Sequence, residues 1–203
     1  MLGDIFDFWF EYKKAVPKGY VRLLGKLAEL SDSGIPIFIF TGNHDMWMFD
    51  YLEKELNVTI YRQPIEIKLN NKTFFLGHGD GLGPGDYGYK ILKKIFSNSF
   101  CKFLFSIIHP NIGISIAEYW SKKSRISNGV KDDKNLGDKE FLVQFCKNKL
   151  KEKEVDFFIF GHRHLPMEIK LNDQSTYINL GEWVNYKTYA VFDGEIVSLK
   201  KFD

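Results

Sequence analysis

Four short polar clusters stand out in the chain, each directly behind an apolar run. They are GDIFD (Gly3–Asp7), GNHD (Gly42–Asp45), GHGD (Gly77–Asp80) and GHRH (Gly161–His164). Carboxylate, amide and imidazole donors without a thiolate suit Mn, Fe or Zn held for chemistry, and do not suit a structural zinc. Asp4 offers two carboxylate oxygens that can bridge a pair of cations. Asn43 offers a neutral carbonyl oxygen, and His78, His162 and His164 offer ring nitrogens. Two neighbouring cations clamp phosphoryl oxygens and generate a hydroxide for in-line attack. His44, beside a ligand without being one, is placed to protonate a leaving oxygen or to stabilise developing charge. Each cluster alone has an ordinary reading, since Gly-Asp pairs cap helices and most histidines after strands are structural. Their combination, in this order, selects the metal site.

The elements that must position these clusters follow from periodicity. In α/β sheets, loops at the carboxyl ends of strands converge on one site, and a glycine before each cluster permits a tight turn. Residues 20–31 have helical spacing, and IPIFIF (35–40) reads as a buried strand running into TGNHD. A short helix near 46–55 is followed by an alternating stretch with Asn70-Asn71 as a turn. It predicts a hairpin whose second strand delivers GHGD. VDFFIF (155–160) is a second buried strand, ending in GHRH. PMEIKL, STYINLG, YAVFD and EIVSLKKF then read as short antiparallel strands joined by Asn172-Asp173 and Asp193-Gly194 turns. Residues 86–150 are helical and lysine-rich. No internal repeat or linker divides the chain, so residues 1–203 form one domain with a helical insertion at 86–150.

The bulk composition fits a folded domain: 203 residues, 44% hydrophobic and 27% charged, with a formal net charge of +2. That charge argues neither for nor against nucleic acid. Cys101 and Cys146 form no metal-binding or disulfide pattern and suit a reducing compartment. No basic region leading into an apolar run marks a secretory signal. The most apolar window, residues 100–117, contains Lys102, His109 and Pro110, and falls short of the roughly 18–20 uncharged residues of a spanning helix.

Within the insertion, Ile95, Phe96, Phe100, Phe103, Leu104, Ile107 and Ile108 lie close to helical spacing, interleaved with Lys90, Lys93, Lys94 and Lys102. Such a segment dips into a membrane interface, lines a pocket for acyl chains, or packs on its neighbours as an ordinary helix. Trp120, Lys122, Lys123 and Arg125 follow, available to a diphosphate or sugar or else facing solvent.

This set of motifs resembles the calcineurin-like metallophosphoesterase superfamily, whose pattern is D-x-H, GD-x-x-D, GNH[DE], H and GH-x-H. The last four are present, and the resemblance covers nearly the whole chain. It implies an α/β/β/α sandwich of two mixed sheets with a helical cap insertion, here lacking the first strand. It also implies two divalent metal ions, Mn foremost with Fe or Zn as alternatives. Asp4 is then the bridging ligand, Asn43, His78 and His162 complete one site, His164 belongs to the other, and His44 is the catalytic histidine. No D-x-H precedes GDIFD, so the expectation is an N-terminally truncated chain whose second metal site is incomplete.

Within the superfamily, GDIFDFWFEYK, GHGDGLGPGDYGYK and NLGEWVNYKTYAVFDG resemble the UDP-2,3-diacylglucosamine pyrophosphatase group, which acts in lipid A synthesis. That resemblance implies hydrolysis of UDP-2,3-diacylglucosamine to 2,3-diacylglucosamine 1-phosphate and UMP. Residues 86–150 would be the acyl-receiving cap, with Trp120, Lys122, Lys123 and Arg125 as substrate contacts. The implied partners are a nucleotide-linked glycolipid and a membrane surface met through the cap, with no nucleic acid. The implied location is cytoplasmic, on the inner face of the bacterial inner membrane. His44 stands where well-known members of the group carry arginine. The alternatives are a phosphodiesterase or phosphoprotein phosphatase without lipid preference, to which His44 points, and a catalytically impaired fragment, to which the missing D-x-H points.

Overall fold

The first parallel pairing forms around Ile39 and Phe40, which are buried in β1 (Phe38–Phe40). β1 pairs in parallel with β2 (Thr59–Tyr61), and on its other side Leu2 makes a parallel bridge to Phe40. The expected strand at 35–40 is thus shortened, because Pro36 has no N–H to donate to a ladder. The computed structural model describes residues 1–85, 87–132 and 135–203, with the backbone alone for 124–132. These residues divide into two compact units, Met1–Gln63 with Tyr87–Ser127, and Pro64–Asp86 with Asn128–Asp203.

In the first unit, α1 (Val21–Asp32) buries Leu27 against Phe6, Trp9, Ile39, Met48 and Leu52. It lies one residue later at each end than the helical spacing at 20–31. The second helix, α2 (Tyr51–Leu56), begins later than the sequence suggests. Trp47 is instead drawn into an extended bridge with Phe10 and an aromatic cluster with Phe8, Tyr12 and Phe105. Aromatic burial overrides local helix propensity there. Three further helices follow, α3 (Tyr87–Ser97), α4 (Ser99–Ile107) and α5 (Pro110–Asp132), the last belonging to this unit as far as Ser127. Asn98 caps α4, its side-chain oxygen accepting from the Phe100 and Cys101 amides. Phe96, Phe105, Ile114 and Ala117 pack on the Trp47 cluster.

The outer faces of these helices are apolar. Phe100, Phe103, Leu104 and Ile107 of α4 are exposed at i, i+3, i+4 and i+7. Ile91 and Ile95 of α3 and Ile112, Ile116, Tyr119 and Trp120 of α5 are exposed as well. Of the sequence-predicted stripe only Phe96 turns inward. Among the described residues no single helix is long and apolar enough to cross a membrane. Ser99–Ile107 and Pro110–Lys123 pass by length and composition only as a pair bent by 120°.

The second unit is built on a mixed five-stranded sheet. Its strands are β3 (Ile65–Leu69), β4 (Lys72–Gly77), β5 (Phe157–Phe160), β6 (Pro166–Lys170) and β7 (Thr176–Leu180), in the order β3-β4-β5-β7-β6. β3 and β4 form the expected hairpin, with Asn70 at φ +52° in its turn. The sequence reads the C-terminal strands as antiparallel, but β7 is antiparallel to β6 and parallel to β5. Its buried run Tyr177, Ile178, Asn179 explains this, since strands covered on both faces belong inside a sheet. A last hairpin, β8 (Thr188–Phe192) with β9 (Val197–Lys201), pairs within itself. Leu142, Val143 and Cys146 of α6 (Phe141–Lys149) pack into this unit's core against Phe75, Phe158, Phe160 and Tyr177. The expected α/β class therefore holds, with its mixed character concentrated in the five-stranded sheet.

Candidate metal centre

In the first unit, GDIFD and GNHD are knitted together by backbone-to-carboxylate bonds. The chain leaves the Leu2 bridge through two left-handed residues, Gly3 at φ +85° and Asp4 at φ +52°. Asp4 Oδ1 then accepts the His44 amide at 2.9 Å. Asp45 is fully buried; its Oδ2 accepts the Ile5 amide at 2.7 Å and its Oδ1 the Gly42 amide at 2.6 Å. The Trp9 amide donates to the His44 carbonyl at 3.3 Å. Asp4, Asn43 and His44 are thereby held on one short stretch of crossed loops, each half-buried.

Gly42 is the fixed point of that crossing. A Cβ built there would lie 2.5 Å from the Asp4 backbone nitrogen and 2.8 Å from its Cγ. Gly42→Ala is therefore expected to displace Asp4. Displacement on the order of 1 Å costs about 100-fold in turnover. Steady-state kinetics beside metal analysis of the purified variant checks this, and unchanged values in both would show that the loops adapt.

The ring of His44 is tied down from α5: its Nδ1 lies 2.8 Å from Oγ of Ser121, which is buried. On the same helix Trp120, Lys122 and Lys123 are exposed. The side chain of Arg125, the fourth expected substrate contact, lies outside the described residues.

In the second unit, two imidazoles sit at the ends of adjacent parallel strands. β4 and β5 are in register through Gly77 and Phe160, and one residue further the Gly161 amide donates to the His78 carbonyl at 3.0 Å. His78 is buried, and its ring centroid lies 5.1 Å from that of His162. A ring nitrogen of each falls within 4.8 Å of the other. The half-buried His164 follows two residues on.

Three residues without an assigned role in the sequence reading hold this pair in place. Asn179 of β7 is fully buried, donates to the Gly161 carbonyl and accepts from the Gly181 amide. It also donates to the Tyr177 hydroxyl at 3.3 Å, and burial pushes that phenol far above its usual range, so it stays neutral. Arg163, between His162 and His164 in the chain, forms a forked ion pair with Glu140. Nε donates to Oε2 and Nη2 to Oε1, both at 3.1 Å. Glu140 immediately precedes α6, so the pair fastens the GHRH turn to that helix. An asparagine inside an apolar strand and a lone glutamate before an apolar helix were the available signals.

His162 has φ +62°, which with Asp4 makes two candidate ligands in the left-handed region. Asn57 and Asn70 adopt it where a helix ends and a hairpin turns. For Asp4 and His162, which are not glycines, the conformation costs on the order of 1–3 kcal/mol each, and such cost persists where surrounding bonds over-determine it. Here those bonds come from Asp45 and His44 on one side and Asn179 on the other.

The donor set of carboxylate, amide and imidazole in these clamped loops fits divalent metal ions. Comparison with known proteins agrees with that chemistry. The chain is 38% identical to the UDP-2,3-diacylglucosamine hydrolase of Porphyromonas gingivalis, across all of this chain and 82% of that protein. It is 28% identical to the enzyme of the same name from Proteus mirabilis, over 82% of this chain and 68% of that one. The Pseudomonas fluorescens enzyme of that name is 27% identical over the whole chain and 81% of its own length. The family profile that matches residues 1–166 spans all four clusters, and by it the chain belongs to the calcineurin-like phosphoesterase family.

Proposed function

We propose that this protein hydrolyses the diphosphate bond of UDP-2,3-diacylglucosamine, giving 2,3-diacylglucosamine 1-phosphate and UMP, a step of lipid A synthesis. The observation that carries this reading is 38% identity over the whole chain to an enzyme named for that substrate. Asp4, Asn43, His78, His162 and His164 would hold divalent ions, with manganese the proposed metal. Ions bound there supply charge stabilisation at phosphoryl oxygens and an activated water. His44, held between the Asp4 carboxylate at its amide and Ser121 at its ring, donates a proton to the leaving oxygen.

Of residues 86–150, the helices α3, α4 and α5 act as the cap in this reading, since α6 packs into the core of the second unit. The exposed apolar residues of α3, α4 and α5, with Lys94, Lys122 and Lys123 also exposed, are suited to an anionic membrane surface bearing the substrate's acyl chains. Trp120, Lys122, Lys123 and Arg125 are the proposed contacts to its polar half. A cytoplasmic protein resting on the inner membrane follows from the same reading.

The test is release of UMP from UDP-2,3-diacylglucosamine in mixed micelles, with manganese and after chelation. Activity that needs manganese and the acyl chains is expected. Equal turnover of bis(p-nitrophenyl) phosphate and the lipid would favour a phosphodiesterase without lipid preference.

A further inference from the structure

We infer that Ser121 is a positioning residue for His44, a link through which the cap sets the ring of the proposed proton donor. This rests on the hydrolase reading above. The contact is specific: a buried hydroxyl on a helix whose neighbouring residues Trp120 and Lys122 are exposed meets Nδ1 of His44 at 2.8 Å.

The geometry has a cause in the helix. Gly113, Ala117 and Ser121 recur every four residues on one face of α5, with Ile114 beside them. Gly113 is buried, and a Cβ there would collide with the Tyr12 hydroxyl. Ala117 and Ile114 pack on the cluster of Phe8, Phe10, Tyr12 and Trp47. Small side chains thus let α5 approach the segment between GDIFD and GNHD closely enough for a two-atom side chain to reach His44.

Serine also has the right chemistry. Its hydroxyl both donates and accepts. It can accept from Nδ1–H both before and after the Nε2 proton passes to the leaving oxygen, so the ring does not have to turn during the transfer. In both states Nε2 is the nitrogen left for the reacting oxygen. A carboxylate in that place would bind the cation selectively and oppose release of its proton. The amide of His44 is fixed by Asp4 and its carbonyl by Trp9, so Ser121 sets the remaining freedom, rotation of the ring.

The experiment uses the full chain with Ser121→Ala and Ser121→Thr, alone and with His44→Gln. With Ser121→Ala, kcat is expected to fall about tenfold, the scale of one lost hydrogen bond, with KM within about twofold. Ser121→Thr should restore much of that loss. In the His44→Gln background, Ser121→Ala should have no further effect. Nitrogen-15 imidazole spectra of the metal-free protein should show the Nδ1 and Nε2 shifts of His44 changing in Ser121→Ala. A wild-type kcat with an unchanged His44 spectrum would overturn the inference, as would an equal loss in the His44→Gln background. If wild-type protein fails to cleave the lipid while the His44 spectrum responds to Ser121→Ala, the substrate reading falls and the pairing stands.

Discussion

Glu140→Ala is expected to destabilise the protein by about 3–5 kcal/mol, the cost of leaving one half of a buried ion pair uncompensated. Glu140 is wholly buried and Arg163 is 6% exposed, so solvent cannot replace the lost carboxylate. The guanidinium cannot shed its charge. Oε1 of Glu140 also accepts the Leu136 amide at 3.1 Å, and that bond is lost with the pair. The double variant Glu140→Leu with Arg163→Met should recover much of the stability, because it removes both charges and fills the space. Urea unfolding followed by circular dichroism measures this. If the single variant unfolds at the wild-type midpoint, the pair is not holding the turn. Arg163 lies between His162 and His164, so metal affinity should also drop, by about 10–100-fold, as for other partners that orient ligands.

His44→Gln should lower kcat by roughly 10²–10⁴-fold, the usual share of a positioned proton donor. Glutamine retains hydrogen bonding but cannot transfer a proton at neutral pH. Metal content should stay at the wild-type value, because the assigned role of His44 is not that of a ligand. Asn43→Ala makes the contrast, with bound metal and turnover expected to fall together. Metal analysis of both purified variants separates the two roles. A His44→Gln enzyme within a few-fold of wild type would remove His44 from the mechanism.

Much of this site was legible in the sequence because its residues follow apolar strands directly. Phe40, Gly77 and Phe160 end β1, β4 and β5 just before the residues that matter, as two continuous apolar runs and one alternating hairpin suggested. The Asn172 and Asp193 turns were legible for a local reason, short side chains that accept from their own backbone, and the Asn70 turn because asparagine tolerates the left-handed region. Residues whose roles depend on distant partners were not. Ser121 meets His44 across 77 positions and Glu140 meets Arg163 across 23, and no period or spacing encodes either meeting. Trp47 lies in a stretch of helical composition, yet its ring is claimed by Phe10 and Phe105. The parallel pairing of β7 with β5 was hidden because β7 is short and stands in the sequence among turn-linked strands, and its buried polar Asn179 masks a continuous buried run.

The strand-end imidazoles have one more consequence. Ladder bonds through Gly77, Phe160 and the Gly161 amide set the placement of His78 beside His162, and Asn179 braces it from the next strand. The entropy of bringing these two nitrogens together is therefore met when the sheet forms and not when an ion arrives. Assembly of this imidazole pair is the same event as registry of three neighbouring strands. A one-residue slip between β4 and β5 would abolish the pair even with every ligand present in the chain.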